Sequence, residues 1–215
     1  MTKELKLWEG KFGDEYTERN LITENDISHR TNMWNCILNS MYVNDNYKTP
    51  ESILEIGAGQ GLNIITLNKI YKTLIRKEVD IFGIEPNKKT LKIAKENTRS
   101  PNVSWVGNNA FNIDLPDHYI DLVFTSGVLI HINPDDLLQA YKEMYRVTKK
   151  YIVTLEYFSP DVRKVEYHGE QAMWTMDYGK YWIDNFPVRF LGCLFFWKPV
   201  YKVDNLTCWI FEKVN

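Results

Sequence analysis

The chain has 215 residues, a length that favours one domain, and its 44% hydrophobic and 25% charged residues are typical of a globular protein with a core. Its formal net charge of -2 gives no basic excess, which argues against a nucleic-acid partner. Cys36, Cys193 and Cys208 lie far apart and show no spacing of a zinc site or a disulfide framework.

The N-terminal residues lack the apolar segment of a signal peptide, and no run approaches the roughly 18 apolar residues of a membrane-spanning helix. The composition therefore predicts a cytoplasmic protein without a membrane partner. A monomer and a homodimer are both compatible with it.

Hydrophobic periodicity predicts helices that alternate with buried strands. The predicted helices are residues 24–42, a segment that starts at Gly61, residues 86–97 and residues 132–148. The predicted strands are residues 49–57, 79–85, 102–107, 119–127, 150–157, about 190–198 and 206–213. In the last helix we expect Asn133 to cap the N-terminus and Pro134 to take the first helical position. The very apolar run 190–197 is expected to be a buried strand.

This alternation predicts a Rossmann-like α/β fold. Strands joined through helices form a parallel sheet with right-handed crossovers. The two closing strands are separated by only a short turn around residues 203–205, which indicates an antiparallel hairpin at the sheet edge. We therefore expect a mostly parallel seven-stranded sheet with helices on both faces.

The segment LEIGAGQG, residues 54–61, places three glycines between a strand and a helix, where a ligand can approach the backbone closely. A dinucleotide fingerprint requires its third glycine at position 62, which is Leu62. Glu55 would also repel a bound pyrophosphate, whereas its carboxylate suits an ammonium or sulfonium group. The loop therefore favours S-adenosylmethionine over NAD, with a surface carboxylate as the alternative interpretation of Glu55.

Two further markers follow in chain order. Glu85 ends the second strand, where a carboxylate accepts both ribose hydroxyls of an adenosine ligand, in NAD as well as in S-adenosylmethionine. Within GNNAF, residues 107–111, Asn109 can hydrogen-bond the adenine edge and the backbone of Ala110 can bind a ring nitrogen. A polar turn is the alternative interpretation of GNNAF.

The chain here resembles the class I S-adenosylmethionine-dependent methyltransferases over roughly residues 50–157. The resemblance rests on LEIGAGQG, GIEPN (83–87), GNNAF and DLVFTSGVLIHI (121–132). The cofactor-binding residues that these motifs imply are Glu55, Gly57, Ala58, Gly59, Glu85, Pro86, Asn109, Ala110, Ser126 and Gly127. The family commonly has Asp where this chain has Asn109, which leaves that adenine contact the least secure.

A narrower resemblance covers nearly the whole chain. WEGKFGDEYTERN (8–20), SGVLIHINPDDL (126–137), EYFSP (156–160) and TCWIFEK (207–213) are similar to the pseudaminic acid biosynthesis-associated methylases, bacterial proteins usually placed in surface-sugar pathways. The resemblance implies a methyltransferase that acts on a sugar or sugar-derived metabolite. It divides the single domain 1–215 into an N-terminal helical lid (1–48), a cofactor-binding core (49–157) and an aromatic-rich cap on the acceptor side (158–215).

His131 is the candidate general base, because it follows the fourth strand at the edge where ligands of parallel sheets bind. A packed histidine bonded to a backbone carbonyl is the alternative. Tyr16 and Arg19 lie in the N-terminal block, which we expect to fold over the cofactor. Tyr16 is then placed near the sulfonium and Arg19 pairs with the cofactor carboxylate, with helix packing and a surface charge as the alternatives.

Glu156, Tyr157 and His168 follow the fifth strand, where we expect the acceptor pocket. A solvent-exposed loop histidine is the alternative for His168. No cluster of His, Cys, Asp and Glu has ligand spacing, so we expect no metal. The leading function is methyl transfer to a small-molecule acceptor. A methyltransferase for a protein side chain and a non-catalytic adenosyl-binding subunit are the alternatives.

Overall fold

A seven-stranded sheet lies at the centre of the computed structural model, which describes residues 2–167 and 169–214. Its strands are β1 (Ser52–Ile56), β2 (Asp80–Ile84), β3 (Val103–Trp105), β6 (Ile120–Ser126), β7 (Thr148–Glu156), β10 (Val188–Phe196) and β11 (Leu206–Lys213). Two small hairpins complete the strands: β4 (Asn108–Asn109) with β5 (Asn112–Ile113), and β8 (Arg163–Tyr167) with β9 (Glu170–Thr175).

The helices are α1 (Lys3–Glu9), α2 (Lys11–Arg19), α3 (Glu24–Tyr42), α4 (Leu62–Ile70), α5 (Lys88–Asn97), α6 (Leu137–Val147), α7 (Tyr178–Asn185) and α8 (Lys198–Tyr201). A π-helical turn, Tyr71–Ile75, continues α4, and a 3-10 turn, Leu129–His131, follows β6. Among these helices, none combines the length and apolar character needed to cross a bilayer.

The strand order β10-β11-β7-β6-β1-β2-β3 confirms the predicted architecture. The five strands from β3 to β7 are parallel, while β11 runs antiparallel to β7 and β10 antiparallel to β11. The sheet therefore ends in the predicted antiparallel hairpin. The connection between β10 and β11 is longer than the predicted short turn, because it contains α8.

Neighbouring residues of each central strand point to opposite faces of the sheet, and each face is covered by a hydrophobic core. Ile53 belongs to the core that includes residues of α3 and α4, while Leu54 belongs to the core under α6 and α7. In α3, Met33 and Trp34 are fully buried in the first core. Within the predicted lid 1–48, α3 is thus part of the core, and α1 and α2 are the helices left to cover a ligand.

Two local predictions were wrong. The run 190–197 forms an edge strand rather than a buried one, because only β11 pairs with β10, and Phe190 and Phe195 are 51% and 59% exposed. The helix α6 begins at Leu137, three residues beyond the predicted start at Pro134. Asn133 accepts the backbone N–H of Asp135 at 3.1 Å and begins a separate turn, so it does not cap α6.

Candidate active site

The carboxyl ends of the parallel strands form a crevice where the strand order reverses. Because β1 pairs with β2 on one side and with β6 on the other, the chain departs in opposite directions at this point, which is where ligands of such sheets bind. A cavity of about 560 Å³ lies there. The predicted cofactor and catalytic residues that line it are Tyr16, Arg19, Glu55, Gly57, Ala58, Gly59, Glu85, Pro86, Asn109, Ala110, Ser126, Gly127 and His131.

The glycine loop after β1 forms one wall of the cavity. Gly57 has φ +69°, and a Cβ there would lie 2.5 Å from Cγ2 of Val128. Gly59 has φ +53°, and a Cβ would meet no described atom within 4 Å, so the space beside it is open. The loop therefore packs tightly against the segment after β6 at Gly57 and leaves its backbone accessible at Gly59.

Glu55 is almost completely buried in the wall of this cavity. Its Oε1 accepts a hydrogen bond from Nδ2 of Asn63 at 2.6 Å, and Nε1 of Trp34 donates to the Oδ1 of the same amide at 3.0 Å. Its Oε2 has no hydrogen-bond partner among the described residues. Burial raises the pKa of Glu55 to about 8, because the ionised form lacks solvation. The carboxyl group is thus held in one orientation, and a cationic group that binds beside it would favour its ionised form.

Glu85, at the end of β2, connects two loops of the site. Its Oε2 accepts the N–H of Gly59 at 2.9 Å, and its Oε1 accepts the N–H of Asn87 at 2.8 Å. Burial raises its pKa to about 7 although both hydrogen bonds favour the ionised form. The carboxylate lies beside the open backbone of Gly59, and its contact with a ribose stays a prediction.

The predicted adenine contacts lie on the β4–β5 hairpin. The Oδ1 of Asn109 accepts the backbone N–H of Phe111 at 2.9 Å, which fixes the amide in a tight turn. Ala110 is 8% exposed and lines the cavity. The hairpin therefore presents a polar edge to the cavity. Such an edge agrees both with a simple polar turn and with an adenine contact.

Arg30 is a functional candidate that sequence reasoning missed. It lies on the inner face of α3, lines the cavity, and makes two long contacts from Nη1: 3.4 Å to Oγ of Ser126 and 3.7 Å to Sδ of Met33. Burial lowers its pKa, while the negative charges of Glu55 and Asp204 oppose that shift. The sequence did contain a sign of this role: Arg30 is a charged residue one helical turn before Met33 and Trp34, on a helix face that was expected to be apolar.

The predicted Arg19 is in a different environment. Its side chain is 46% exposed and its Nη1 lies 4.0 Å from Oε2 of Glu15, so it sits at the rim of the cavity. Arg30 is the more deeply placed guanidinium, beside the buried Glu55. We therefore prefer Arg30 over Arg19 as the partner of a ligand carboxylate.

The helices α1 and α2 cover one side of the cavity, and hydrogen bonds from Asn87 and Gln60 attach them to the rest of the domain. Nδ2 of Asn87 donates to the carbonyl of Trp8 at 3.0 Å and to Oδ1 of Asp14 at 2.9 Å. Nε2 of Gln60 donates to the carbonyls of Thr17 and Asn20 at 3.0 and 2.7 Å. Gln60 belongs to the glycine loop and Asn87 follows Glu85, so the segments expected to bind the cofactor also anchor the lid.

His131 lies under this lid, at the end of the 3-10 turn. Its ring centroid is 4.4 Å from that of Trp8, and the ring centroid of Tyr16 is 5.2 Å from that of Trp8. The predicted catalytic pair His131 and Tyr16 therefore shares one aromatic cluster with Trp8. Sequence reasoning gave Trp8 no role, because an isolated tryptophan is more often a core residue.

Glu156 does not lie in an acceptor pocket. It is fully buried, and its carboxylate accepts the backbone N–H groups of Val128, Leu129 and Ile130 at 3.2, 3.1 and 3.4 Å. Burial raises its pKa to about 7. Since no surface of Glu156 is open to a substrate, we replace its predicted substrate-binding role with the positioning of the turn that carries His131.

Of the other two predicted acceptor residues, only Tyr157 lies in the described part of the chain. Tyr157 is half-buried and lines a second, open groove beside the cavity. His168 lies outside the described residues. Glu156 is therefore buried while Tyr157 lines an open groove, and the predicted role of His168 in acceptor binding stays a prediction.

The residues present fit S-adenosylmethionine. The buried Oε2 of Glu55, which has no hydrogen-bond partner among the described residues, suits the ammonium group, the open backbone at Gly59 allows close approach, and Glu85 presents a carboxylate for hydroxyl groups. Within residues 2–167 and 169–214, no three His, Cys, Asp or Glu side chains lie close enough together to hold a metal ion. Metal independence remains a prediction.

Residues 53–151 match the model of a family described as a methyltransferase domain. A comparison with curated protein sequences gives no match. Among solved structures, magnesium protoporphyrin IX methyltransferase from Synechocystis PCC 6803, with bound S-adenosylmethionine, is 12% identical with a TM-score of 0.66, and 100% of this chain and 99% of that chain are covered.

Two more solved structures are similar in fold. A SAM-dependent methyltransferase from Leishmania major is 18% identical with a TM-score of 0.65, and the match covers 98% of this chain and 81% of that one. The 1,6-didemethyltoxoflavin-N1-methyltransferase of Burkholderia thailandensis, with S-adenosylhomocysteine, is 12% identical with a TM-score of 0.64, over 89% of this chain and 80% of that one. The chain thus shares the Rossmann-like fold of these methyltransferase structures, and its residues 53–151 match a family described as a methyltransferase domain.

Proposed function

We propose that the protein transfers a methyl group from S-adenosylmethionine to a small molecule, and that the acceptor is a sugar or sugar-derived metabolite of a bacterial surface-polysaccharide pathway. The cavity that joins Glu55, Glu85 and His131 under one lid carries the proposal. Two of the fold neighbours are named for small acceptors, a toxoflavin precursor and magnesium protoporphyrin IX. The choice of a sugar rests on the resemblance to the pseudaminic acid-associated methylases.

Glu55 and Arg30 together suit the amino-acid end of the cofactor. They are opposite charges in the same cavity, close enough for Glu55 to raise the pKa of the guanidinium against the effect of burial. An α-amino acid presents an ammonium and a carboxylate one carbon apart, so Glu55 binds the first and Arg30 the second. Ser126, at 3.4 Å from Arg30, holds the guanidinium at the end of β6.

When bound, S-adenosylmethionine would supply an electrophilic methyl group: a lone pair of the acceptor oxygen or nitrogen would form the new bond to carbon, and the sulfur would keep the electron pair of the broken bond and become a neutral thioether. The protein's task is to hold the acceptor in line, and such alignment is worth roughly 7–11 kcal/mol. The lid around Trp8 and Tyr16 excludes water from this space. His131 takes the proton that a hydroxyl acceptor must lose, and passes it to solvent.

The test uses the whole chain, isotopically labelled S-adenosylmethionine and the low-mass fraction of a bacterial extract. We expect label to appear in a sugar-containing product, identified by mass spectrometry. The matched control is Gly57→Val, because the added side chain would clash with Val128 and close the glycine loop. Label found only in protein or nucleic acid, or equal labelling by the control, would overturn the proposal.

A further inference from the structure

A second groove opens beside the cofactor cavity, at the same edge of the sheet. Its volume is about 750 Å³, and it is open to solvent. The residues that line it are Tyr157, Phe158, Cys193, Phe195, Lys198, Asp204, Asn205, Thr207 and Trp209. Four aromatic rings thus face a space that also contains the polar side chains of Asn205 and Thr207.

The groove and the cofactor cavity share a boundary. Lys198 and Asp204 line both, and Nζ of Lys198 donates to Oδ1 of Asp204 at 3.0 Å. Asp204 is close enough to Arg30 to act on the pKa of its guanidinium. The groove therefore opens onto the part of the cavity that holds Arg30 and Glu55, the end that suits the amino-acid part of the cofactor.

The inner wall of the groove is rigid. Trp209 is 7% exposed, and a Cβ on Gly179 would lie 2.1 Å from its Cδ1, so the indole is packed against the backbone of α7. Phe158 stands beside it, with ring centroids 6.2 Å apart. Phe195, on β10, is 59% exposed. A fixed ring next to two accessible rings forms a platform that needs little ordering when a ligand binds.

We infer that this groove binds the body of the acceptor, and that the acceptor contains a ring with a flat apolar face and a polar rim. This inference rests on the proposed function. Aromatic walls with a few polar groups are the usual lining of small-molecule sites, where the rings bind an apolar face and the polar groups fix its orientation. A pyranose and a planar aromatic ring share this chemistry. Asn205 and Thr207 bind the rim, and the reacting group passes the Lys198–Asp204 pair toward the cofactor.

Binding of the non-reacting part of a substrate serves catalysis, because it orients the reacting group. The groove supplies such binding outside the cofactor cavity. Phe195 should therefore affect the acceptor and leave the cofactor unaffected. Phe190 offers a matched control, since it lies on the same strand, is 51% exposed and does not line the groove.

The first experiment does not depend on activity. Cys193 is exposed in the groove, whereas Cys208 is buried, so N-ethylmaleimide alkylation of Cys193 can be followed by peptide mass spectrometry. Methyl α-glucopyranoside and indole-3-carboxylate serve as probes of the two ring types. We expect at least one to slow alkylation saturably in the wild type and in Phe190→Ser, and to have no effect in Phe195→Ser. The effective probe identifies the ring type.

The second experiment uses methyl transfer to the low-mass extract. Phe195→Ser should raise the acceptor KM by about tenfold, while Phe190→Ser stays at the wild-type value and both bind S-adenosylhomocysteine normally. Failure of both probes to protect Cys193, or equal KM values in the two variants, would overturn the inference. If the wild-type protein binds no S-adenosylhomocysteine, the proposed function is refuted. The alkylation of Cys193 would still test whether the groove binds a ring.

Discussion

The carboxylate of Glu156 accepts the backbone N–H of Leu129 at 3.1 Å and, with its bonds to the two neighbouring amides, holds the turn that ends at His131. The same turn begins at Val128, whose side chain packs against Gly57 of the glycine loop. One buried carboxylate therefore orients a segment that meets the cofactor loop at one end and presents the candidate base at the other.

Replacement of Glu156 by Gln tests this role. An amide can keep two of the three acceptor bonds and turns an N–H₂ toward the third donor, so we expect a loss of roughly 1–3 kcal/mol in the free energy of unfolding at pH 5. Amide hydrogen exchange should accelerate in the peptide that contains residues 128–131. Glu143→Gln, which removes a carboxylate bonded to the N–H of Ile113 at 2.8 Å, is the control and should leave that peptide unchanged.

The pH dependence of this difference has a defined sign. The pKa of Glu156 rises from the ordinary 4.5 to about 7 on folding, so the folded protein binds the proton more tightly than the unfolded chain. Wild-type stability should therefore fall as the pH rises from about 5 to about 7, and Glu156→Gln should lack this contribution. The free energy of unfolding of the wild type minus that of Glu156→Gln, measured by urea unfolding, is then largest at low pH and smallest above pH 7. A difference that grows with pH would contradict the assignment.

Glu55 gives a prediction on proton release. Its pKa of about 8 in the free protein means that it is mostly protonated at pH 6.5, and it must ionise to bind an ammonium group. Calorimetry of S-adenosylhomocysteine binding in buffers of different ionisation enthalpy should therefore show release of close to one proton. Glu55→Gln should bind more weakly and release less. Equal proton release by the two proteins would place the ammonium elsewhere.

The replacement of Glu85 by Ala tests the ribose position. Hydrogen bonding to a charged group is worth about 1.5–3 kcal/mol, so cofactor affinity should fall by roughly ten- to a hundredfold. Gly59 and Asn87 also lose their acceptor, and Glu85→Gln, which keeps one acceptor oxygen, should bind with intermediate affinity. Wild-type affinity in Glu85→Ala would show that the ribose lies elsewhere.

The mostly parallel sheet was predictable because buried parallel strands leave continuous apolar runs between helices, as at Ile53 and Leu54. That many of the predicted residues line one cavity was predictable because they lie at or just after the carboxyl ends of such strands, and parallel strands bring these ends together. The exposed position of Phe195 on an edge strand was not predictable. The composition of a run does not tell how many other strands pair with it.

Arg30 and Glu156 show what a local pattern cannot provide. Arg30 follows no strand, and its place in the cavity depends on how α3 packs against the sheet. Glu156 follows a strand as expected, but whether a carboxylate there faces a ligand or the backbone depends on the path of the loop after β6. Both are contacts between segments far apart in the sequence, which periodicity and motif spacing do not describe.

The last prediction concerns His131, which lines the cavity under the lid with its ring 4.4 Å from that of Trp8. Loss of a general base typically lowers the rate by ~10²–10⁴. His131→Ala should therefore reduce turnover by that factor while S-adenosylhomocysteine affinity stays within a few fold, because the cofactor contacts lie on other residues. His29→Ala removes another imidazole from the lining of the same cavity and is the control. If His131→Ala instead lowers the unfolding midpoint and leaves turnover per folded molecule unchanged, His131 is a packing partner of Trp8, and the acceptor loses its proton without its help.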